Sequence, residues 1–173
     1  MNEIEAEELV TERLVLVPHL PSLVTAEQVA WLNDKEIVKF SEQRHHEHCI
    51  HTQKEYVRWK TWDGPIWLIR LDGQDIGTIA ATVSATNNRA EMGILIGRKD
   101  LHGKGYATEA WNAIMAWLFA KGIRKIECGC MSLNLAMRQL AVKTGMRIEG
   151  GKVSHFLLDG KPVDAVYYGK MRE

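Results

Sequence analysis

Short apolar or alternating runs, each followed by a turn residue, predict a β-rich chain. The run from Leu14 to Val17 ends at Pro18, and Asp72-Gly73 separates two further runs as a hairpin turn does. Asp159-Gly160 repeats that turn pattern near the end of the chain. The predicted strands are Leu14–Val17, Ile66–Leu71, Ile76–Val83, Ala90–Ile96, Lys125–Met131, Met146–Leu158 and Val163–Met171.

Helical spacing of apolar residues marks the segments between these strands. The clearest helix is predicted over Gly105–Lys121, where Ala110, Ile114 and Leu118 fall on one face and Gly122 follows as a C-cap. Thr52 followed by Glu55 resembles a capping box that opens a helix. The other predicted helices are Ser22–Asn33, Thr52–Trp62 and Asn134–Lys143, and the polar stretch from Arg44 to His51 is expected to be a loop.

This order of elements predicts an α+β layered domain with one mixed sheet. The chain has 173 residues and contains neither a repeat nor a Pro- or Ser-rich linker, so residues 1–173 are expected to form a single domain.

The charge balance narrows the classes of partner. Lys and Arg number 22 and so do Asp and Glu, which disfavours nucleic acid or an anionic membrane as a partner. No apolar run reaches the roughly 18–20 residues of a membrane span, and Met1–Glu8, with four glutamates, does not read as a signal peptide. The three cysteines are too few for a disulfide framework, so a cytoplasmic protein is expected, with Cys128 and Cys130 as buried thiols.

The segment from Ile94 to Ala110 carries the most specific chemistry. A strand ends, a loop with Arg98, Lys99, His102 and Lys104 follows, and Gly103-Lys104-Gly105 enters the long helix. The free N–H groups and partial positive charge of a helix start suit a phosphate or pyrophosphate, and glycines allow close approach of the backbone. The same pattern also fits a tight strand–helix turn. Tyr106 after Gly105 departs from a Walker loop, and Thr108 replaces the third glycine of a dinucleotide fingerprint.

Asp100-Leu-His-Gly103-Lys-Gly105 resembles the acyl-CoA-binding loop of the GNAT N-acetyltransferases, Gln/Arg-x-x-Gly-x-Gly/Ala. Asp100 stands where that pattern has Gln or Arg. Four further segments resemble the ribosomal-protein N-acetyltransferase (RimJ/RimL-type) branch in the same order: Thr11–Leu16, Ala90–Ile96, Asn134 with Gly145-Met146, and the closing hairpin with Asp159-Gly160 and Asp164.

The resemblance implies a GNAT-like fold, a mixed, mostly antiparallel sheet with two splayed parallel strands, Ala90–Gly97 and Lys125–Met131, flanked by helices. It implies acetyl-CoA as cosubstrate and no metal. The pantetheine would pair with the backbone near Leu95 and Ile96, and Asn134, whose other reading is a plain helix N-cap, would contact the thioester end. The residues expected to hold the pyrophosphate are Arg98, Lys99, His102, Gly103, Lys104, Gly105, Tyr106 and Ala107.

Proton transfer needs a base for the acceptor amine and an acid for the thiolate. Glu91 is the candidate base, because it shares a strand face with Leu95, although a salt-bridged strand glutamate fits the pattern equally well. Many family members carry a tyrosine acid seven residues after the helix-opening asparagine, and here that residue is Ala141. Asn134, as a second catalytic residue, or water could then assist release of the thiolate. His155, Tyr167 and Tyr168 on the last hairpin are further candidates, with packing or surface positions as their other interpretation.

The segment from Glu42 to His51 is rich in histidine but fits no zinc template. The family comparison assigns it to the acceptor pocket, with Glu42, Arg44 and His48 as contacts for a polar amine; a solvated loop is the alternative. Trp59, Trp62 and Trp67 are expected to pack in the core, and a wall of the acceptor site is the alternative for one of them.

The sequence therefore predicts a cytoplasmic N-acetyltransferase, monomer or homodimer, that moves the acetyl group of acetyl-CoA to a small amine, an amino sugar (nucleotide) or a protein N-terminus. The alternatives are a catalytically weak acyl-CoA-binding module and a nucleotide-binding protein.

Overall fold

In the computed structural model, which describes residues 4–173, one sheet has the strand order β1-β2-β3-β4-β5-β6-β8-β7. Neighbouring strands are antiparallel except β5 and β6, which are parallel. The predicted mixed sheet is therefore confirmed. The first three residues of the acidic segment Met1–Glu8 lie outside the described residues. The strands are β1 Leu9–Val10, β2 Leu14–Pro18, β3 Ile66–Leu71, β4 Gln74–Ser84, β5 Arg89–Ile96, β6 Lys125–Met131, β7 Arg147–Leu158 and β8 Lys161–Met171.

Helices cover both faces of this sheet. The helices are α1 Ala26–Asn33, α2 Ile50–Asp63, α3 Tyr106–Ala120 and α4 Leu135–Lys143. The alternate residues Trp67, Met92 and Cys128 of three strands pack with α3 and α4 in the main core, whereas α1 and α2 lie against the opposite face. In the described part of the chain, no helix combines the length and apolar composition needed to cross a membrane.

The predicted starts of the two N-terminal helices are wrong. A short 3-10 turn occupies Pro21–Leu23, and α1 begins only after Thr25, whose hydroxyl accepts a hydrogen bond from the Gln28 amide (3.3 Å). α2 begins at Ile50, because Cys49 rather than Thr52 is the N-cap. Thr52 completes the cap by accepting from the Cys49 amide at 3.0 Å.

The polar stretch expected to be a loop is likewise partly regular. A 3-10 helix spans Glu42–His45, and α2 takes the residues from Ile50 onward.

The tryptophans expected in the core have different environments. Trp67 is fully buried and stacks edge-to-face on Trp117, with ring centroids 5.2 Å apart. Trp59 and Trp62 are 58% and 83% exposed on the outer face of α2, so core packing was the wrong expectation for both. The two strand thiols, Cys128 and Cys130, are buried and free as predicted.

Candidate active site

The parallel strands β5 and β6 separate partway along their length. They pair from Arg89 and Lys125 as far as Glu91 and Glu127, and no further pair is formed between them in the described chain. β5 continues on β4 as far as the pair Ile96–Gly77. Part of the β5 backbone beyond Glu91, including the region of Leu95 and Ile96, therefore faces an opening instead of a neighbouring strand.

The glycine loop lies at the end of this opening. Gly103 and Gly105 both have left-handed backbones, with φ of 75° and 85°, and Gly105 is the N-cap of α3. Such φ values favour glycine, which explains both glycines. The first-turn amides of α3, Tyr106 and Ala107 included, have no acceptor one turn earlier and point outward. The loop therefore presents several N–H groups, as an anion-binding helix start does.

The basic side chains around this loop are partly neutralised. The Arg98 guanidinium contacts Asp100 at 2.8 Å, and the Lys99 ammonium contacts Asp34 at 2.8 Å and also Glu36. Hydrogen bonding to Lys99 holds the pKa of Asp34 below its usual value. Arg98 and Lys99 are thus already ion-paired, whereas Lys104 has no carboxylate partner among residues 4–173. His102 hydrogen-bonds through Nε2 to the Ile96 carbonyl at 2.8 Å.

Arg13, to which the sequence reasoning gave no role, holds the glycine loop in place. Its Nη1 donates to the Lys104 carbonyl at 3.1 Å, and its guanidinium lies 4.4 Å from the centroid of the Tyr106 ring. Its Nε contacts Glu109 Oε2 at 2.6 Å, and Glu109 also accepts from the Thr11 hydroxyl at 2.6 Å. These contacts tie the start of α3 to the turn between β1 and β2 and add a cation at the loop.

A cleft of about 420 Å³ lies between β4–β5 and the helices α1 and α2. Polar side chains of α1 and α2 line it, and so do Glu91 and Gly129, near the point where β5 and β6 separate. The lining includes His19, Gln28, Gln43, Gln53, Tyr56, Lys60, Thr82, Glu91, Gly93 and Gly129.

Glu91 stands out in this cleft because its neighbours leave it unpaired. Its register partner on β6, Glu127, is held by Arg89 at 2.7 Å. Glu91 itself is exposed and forms no ion pair within the described residues. The structure thus places an available carboxylate where the strands diverge.

Beside Glu91 a lysine is buried on the inner face of α2. Lys60 is 7% exposed. Its ammonium contacts Asp63 at 2.9 Å and donates to the hydroxyl of Thr82, the β4 register partner of Glu91. Thr82 in turn donates to Asp63 at 3.0 Å. Partial burial opposes ionisation of Asp63, but the hydrogen bonds from Lys60 and Thr82 outweigh it and lower its pKa.

Two other titratable groups of the cleft are shifted toward their neutral forms. Burial lowers the pKa of His19 to about 4, and its Nδ1 is buried without a hydrogen-bond partner in residues 4–173. Burial also raises the pKa of Tyr56. At neutral pH, His19 and Tyr56 are therefore neutral hydrogen-bonding groups in the lining of the cleft.

The residues predicted to contact an acceptor lie outside the cleft wall. Arg44 donates to the Ser41 carbonyl at 2.7 Å and to the Leu157 carbonyl at 3.1 Å, and it is ion-paired with Glu42 at 2.8 Å. His48 is 8% exposed, and both of its ring nitrogens are engaged.

The bonds of His48 join two residues that do line the cleft. Its Nε2 lies 3.1 Å from the Gln43 carbonyl, and its Nδ1 lies 3.0 Å from Gln53 Nε2. Both glutamines line the cleft, and His48 joins the 3-10 helix that carries Gln43 to the helix α2 that carries Gln53.

Asn134 is the N-cap of α4. Its Oδ1 accepts from the Met137 amide at 3.1 Å, which leaves its side-chain N–H groups available just beyond the end of β6. Ala141 is fully buried in the core. In residues 4–173 no cluster of three or more His, Cys, Asp or Glu side chains is arranged to hold a metal ion. The histidines near His46 and His48 therefore form no such cluster.

A family comparison agrees with this architecture. The acetyltransferase (GNAT) domain matches residues 13–147, which is most of the chain. The chain therefore belongs to the GNAT acetyltransferase family, an enzyme class, as its glycine loop and splayed strands suggested. The search of curated proteins finds no significant match.

Solved structures share the fold at low sequence identity. RimL, a ribosomal L7/L12 alpha-N-protein acetyltransferase in complex with coenzyme A, is 19% identical with a TM-score of 0.87, over 95% of this chain and 98% of that one. The ribosomal-protein-S5-alanine acetyltransferase from Vibrio fischeri is 16% identical with a TM-score of 0.83, over 97% and 98%. The microcin C7 self-immunity acetyltransferase MccE, in complex with acetyl-CoA and AMP, is 20% identical with a TM-score of 0.78, over 93% of each chain.

Proposed function

We propose that this chain, as a single domain, transfers the acetyl group of acetyl-CoA to a primary amine bound in the cleft beneath α1 and α2. The observation that carries the proposal is Glu91, an unpaired carboxylate that lines the cleft at the point where β5 and β6 separate. A carboxylate there suits removal of a proton from an incoming amine.

The cosubstrate fits the groups that surround the opening. The amides from Gly103 to Ala107 would hold the pyrophosphate, with Lys104 and Arg13 adding positive charge. The open edge of β5 near Leu95 and Ile96 would pair with the amide groups of the pantetheine arm, and Asn134 would donate to it near the thioester. The RimL and MccE structures contain coenzyme A and acetyl-CoA, which supports the choice.

In this scheme Glu91 accepts a proton from the ammonium form of the acceptor, directly or through a water molecule, and so exposes the nitrogen lone pair. Lys60, Asp63 and Thr82 hold the β4 side of the cleft rigid, since the three groups satisfy one another. The nitrogen then attacks the thioester carbonyl from the cleft side.

The cleft favours a compact acceptor with neutral hydrogen-bonding groups. Its volume of about 420 Å³ is that of a small-molecule site. Gln28, Gln43 and Gln53 present amides, His19 presents an unpartnered nitrogen, and the charge of Lys60 is balanced by Asp63. An amino sugar or another hydroxyl- or amide-bearing amine meets these requirements better than a polycation or a dianion.

A protein N-terminus is the second candidate acceptor. The fold similarity to RimL and to the S5-alanine acetyltransferase favours it, because those proteins are acetyltransferases of ribosomal proteins. The first residues of an extended chain also present a primary amine and neutral amides.

The experiment is an amine-panel assay with detection of free thiol. The panel contains amino sugars, their nucleotides, amino acids, polyamines and short peptides starting with Ser or Ala. The Cys49→Ser variant is used, because Cys49 is the exposed thiol in the described chain and would itself react with the reagent. We expect thiol release that depends on one acceptor class.

Two other outcomes would contradict the proposal. Binding of acetyl-CoA without thiol release for any amine would indicate an acyl-CoA-binding module. Protection against thermal unfolding by ATP or NAD that equals or exceeds protection by acetyl-CoA would indicate a nucleotide-binding protein.

We further propose that the protein is cytoplasmic. The cysteines support this proposal, because Cys128 and Cys130 are buried thiols and Cys49 is also free.

A further inference from the structure

Tyr167 of β8 lies across a glycine on the neighbouring strand. A Cβ added to Gly129 would stand 2.8 Å from Tyr167 Cε1 and 2.9 Å from Cδ1, so the ring occupies the space above that backbone. Gly129 and Tyr167 are register partners, and Gly129 lines the cleft. The absence of a side chain at Gly129 thus lets the phenol extend from β8 toward the opening between β5 and β6.

Tyr167 lies on the same face of the sheet as Glu91. Glu91 is the register partner of Glu127, and Gly129 lies two residues further along β6, so their positions share a face. The β5–β6 gap opens directly beyond that point. Glu91 borders the gap from the β5 side, and the Tyr167 ring extends over its β6 side.

The Tyr167 hydroxyl is also available. No protein group hydrogen-bonds to it in residues 4–173, whereas the hydroxyl of the next residue, Tyr168, accepts from Arg138 Nε at 3.3 Å. Tyr168 is 1% exposed and packs on the opposite, core face. The Lys152 ammonium lies 5.2 Å from the Tyr167 ring centroid.

We infer that Tyr167 is the proton donor to the departing thiolate, in the place of the tyrosine that Ala141 replaces. The inference rests on the proposed function. The ammonium form of the acceptor first gives one proton through Glu91 to water. The amine nitrogen then bonds to the acetyl carbon, the carbon–sulfur bond breaks, and the sulfur takes the electron pair of that bond and the Tyr167 hydroxyl proton. The attacking nitrogen loses a second proton to water, and water returns one proton to the Tyr167 phenolate. The products are the N-acetylated amine, coenzyme A as free thiol and one released proton.

The test compares Tyr167→Phe with the matched control Tyr168→Phe under steady-state conditions, with an acceptor found for the unsubstituted protein. Tyr167→Phe keeps the ring over Gly129 and removes only the free hydroxyl. We expect kcat to fall by about 100-fold or more, the usual contribution of a general acid, with unchanged KM for both substrates. Tyr168→Phe should keep kcat.

Gly129→Ala supplies a second test, because the added methyl group displaces the Tyr167 ring but leaves its hydroxyl intact. We expect a loss of kcat in a folded protein that still binds acetyl-CoA by calorimetry. Unchanged kcat in Tyr167→Phe, or equal losses in Tyr167→Phe and Tyr168→Phe, would overturn the inference and leave the proposed function standing. Absence of thiol release by the unsubstituted protein with every amine would overturn both.

Discussion

Glu91 of β5 and Glu127 of β6 are register partners in the last pair before the two strands separate. Arg89 contacts Glu127 at 2.7 Å, so one carboxylate of the pair is neutralised and the other is free. Like charges on adjacent strands repel each other, and the Arg89 contact offsets this cost. The arrangement keeps the Glu91 carboxylate available in the cleft, and the proposed function depends on this carboxylate.

The left-handed glycine at the start of α3 yields the first prediction. Gly105→Ala should raise the Kd for acetyl-CoA by at least about tenfold, or about 1.4 kcal/mol, because the loop must shift to relieve the strain of its φ of 85°. Isothermal titration calorimetry measures the change.

The matched control is Gly160→Ala in the β7–β8 turn, where φ is 75° and no atom lies within 4 Å of the added Cβ. It should lose similar stability, about 1–2 kcal/mol, and keep its affinity. Equal affinities of the two variants for acetyl-CoA would show that the glycine loop does not bind the cosubstrate.

The contacts of Glu109 predict a pH-dependent stability. Partial burial of Glu109 opposes ionisation, but hydrogen bonds from Thr11 and Arg13 outweigh it and lower the pKa below the ordinary 4.5. A depressed pKa stabilises the fold above that value, and the stabilisation disappears as the pH falls through the folded-state pKa.

Urea unfolding of the wild type and of Glu109→Gln should therefore differ by about 1.5–3 kcal/mol at neutral pH, the scale of hydrogen bonds to charged groups. The difference should shrink as the pH is lowered below 4.5. A difference that stays constant with pH would show that the carboxylate charge has no part in holding α3 to the turn between β1 and β2.

Alanine substitutions at Gly97, which follows β5, and at Gly93, which lines the cleft, should have opposite effects on stability and on binding of the amine. A Cβ on Gly97 would overlap the Trp31 ring, so Gly97→Ala should lower stability by about 1–3 kcal/mol, as overpacking does. A Cβ on Gly93 meets no atom within 4 Å and would project into the cleft. Gly93→Ala should therefore keep the Tm and raise the KM for the amine. A higher KM for acetyl-CoA alone would place the acceptor elsewhere.

The three thiols should react in two classes. The pKa of Cys49 is lowered chiefly by its hydrogen bond with the Thr52 backbone amide at the start of α2, and the residue is exposed. Burial raises the pKa of Cys128 to about 12 and also raises that of Cys130. A disulfide reagent should titrate one thiol in the native protein, which Cys49→Ser removes, and the other two only after unfolding. Native reaction at Cys128 would contradict the described core.

The fold was predictable where local signals were strong. The hairpin turns Asp72-Gly73 and Asp159-Gly160 and the apolar period of α3 mark their elements directly. The start of α2 was missed because Thr52 and Glu55 imitate a capping box, whereas the actual cap pairs Cys49, a residue type uncommon there, with Thr52.

The site was predictable only in its backbone part. Gly103 and Gly105 were found because a glycine pattern is local in sequence. The ion pairs of Lys99 with Asp34 and Glu36 join distant segments, so the loop appeared more basic than it is. Lys60 and His19 were missed because the local sequence does not show which face of α2 or which end of β2 closes the cleft. The spacing of Gln53, Tyr56 and Lys60 indicates only that the three residues share one face of the helix.

The most direct test of the central claim is the rate of acceptor-dependent thiol release by Glu91→Gln, compared with Glu127→Gln. We predict that Glu91→Gln lowers kcat by about 100-fold or more with the Kd for acetyl-CoA unchanged, and that Glu127→Gln keeps most of the wild-type rate. Wild-type kcat in Glu91→Gln, or an equal loss in both variants, would contradict the account.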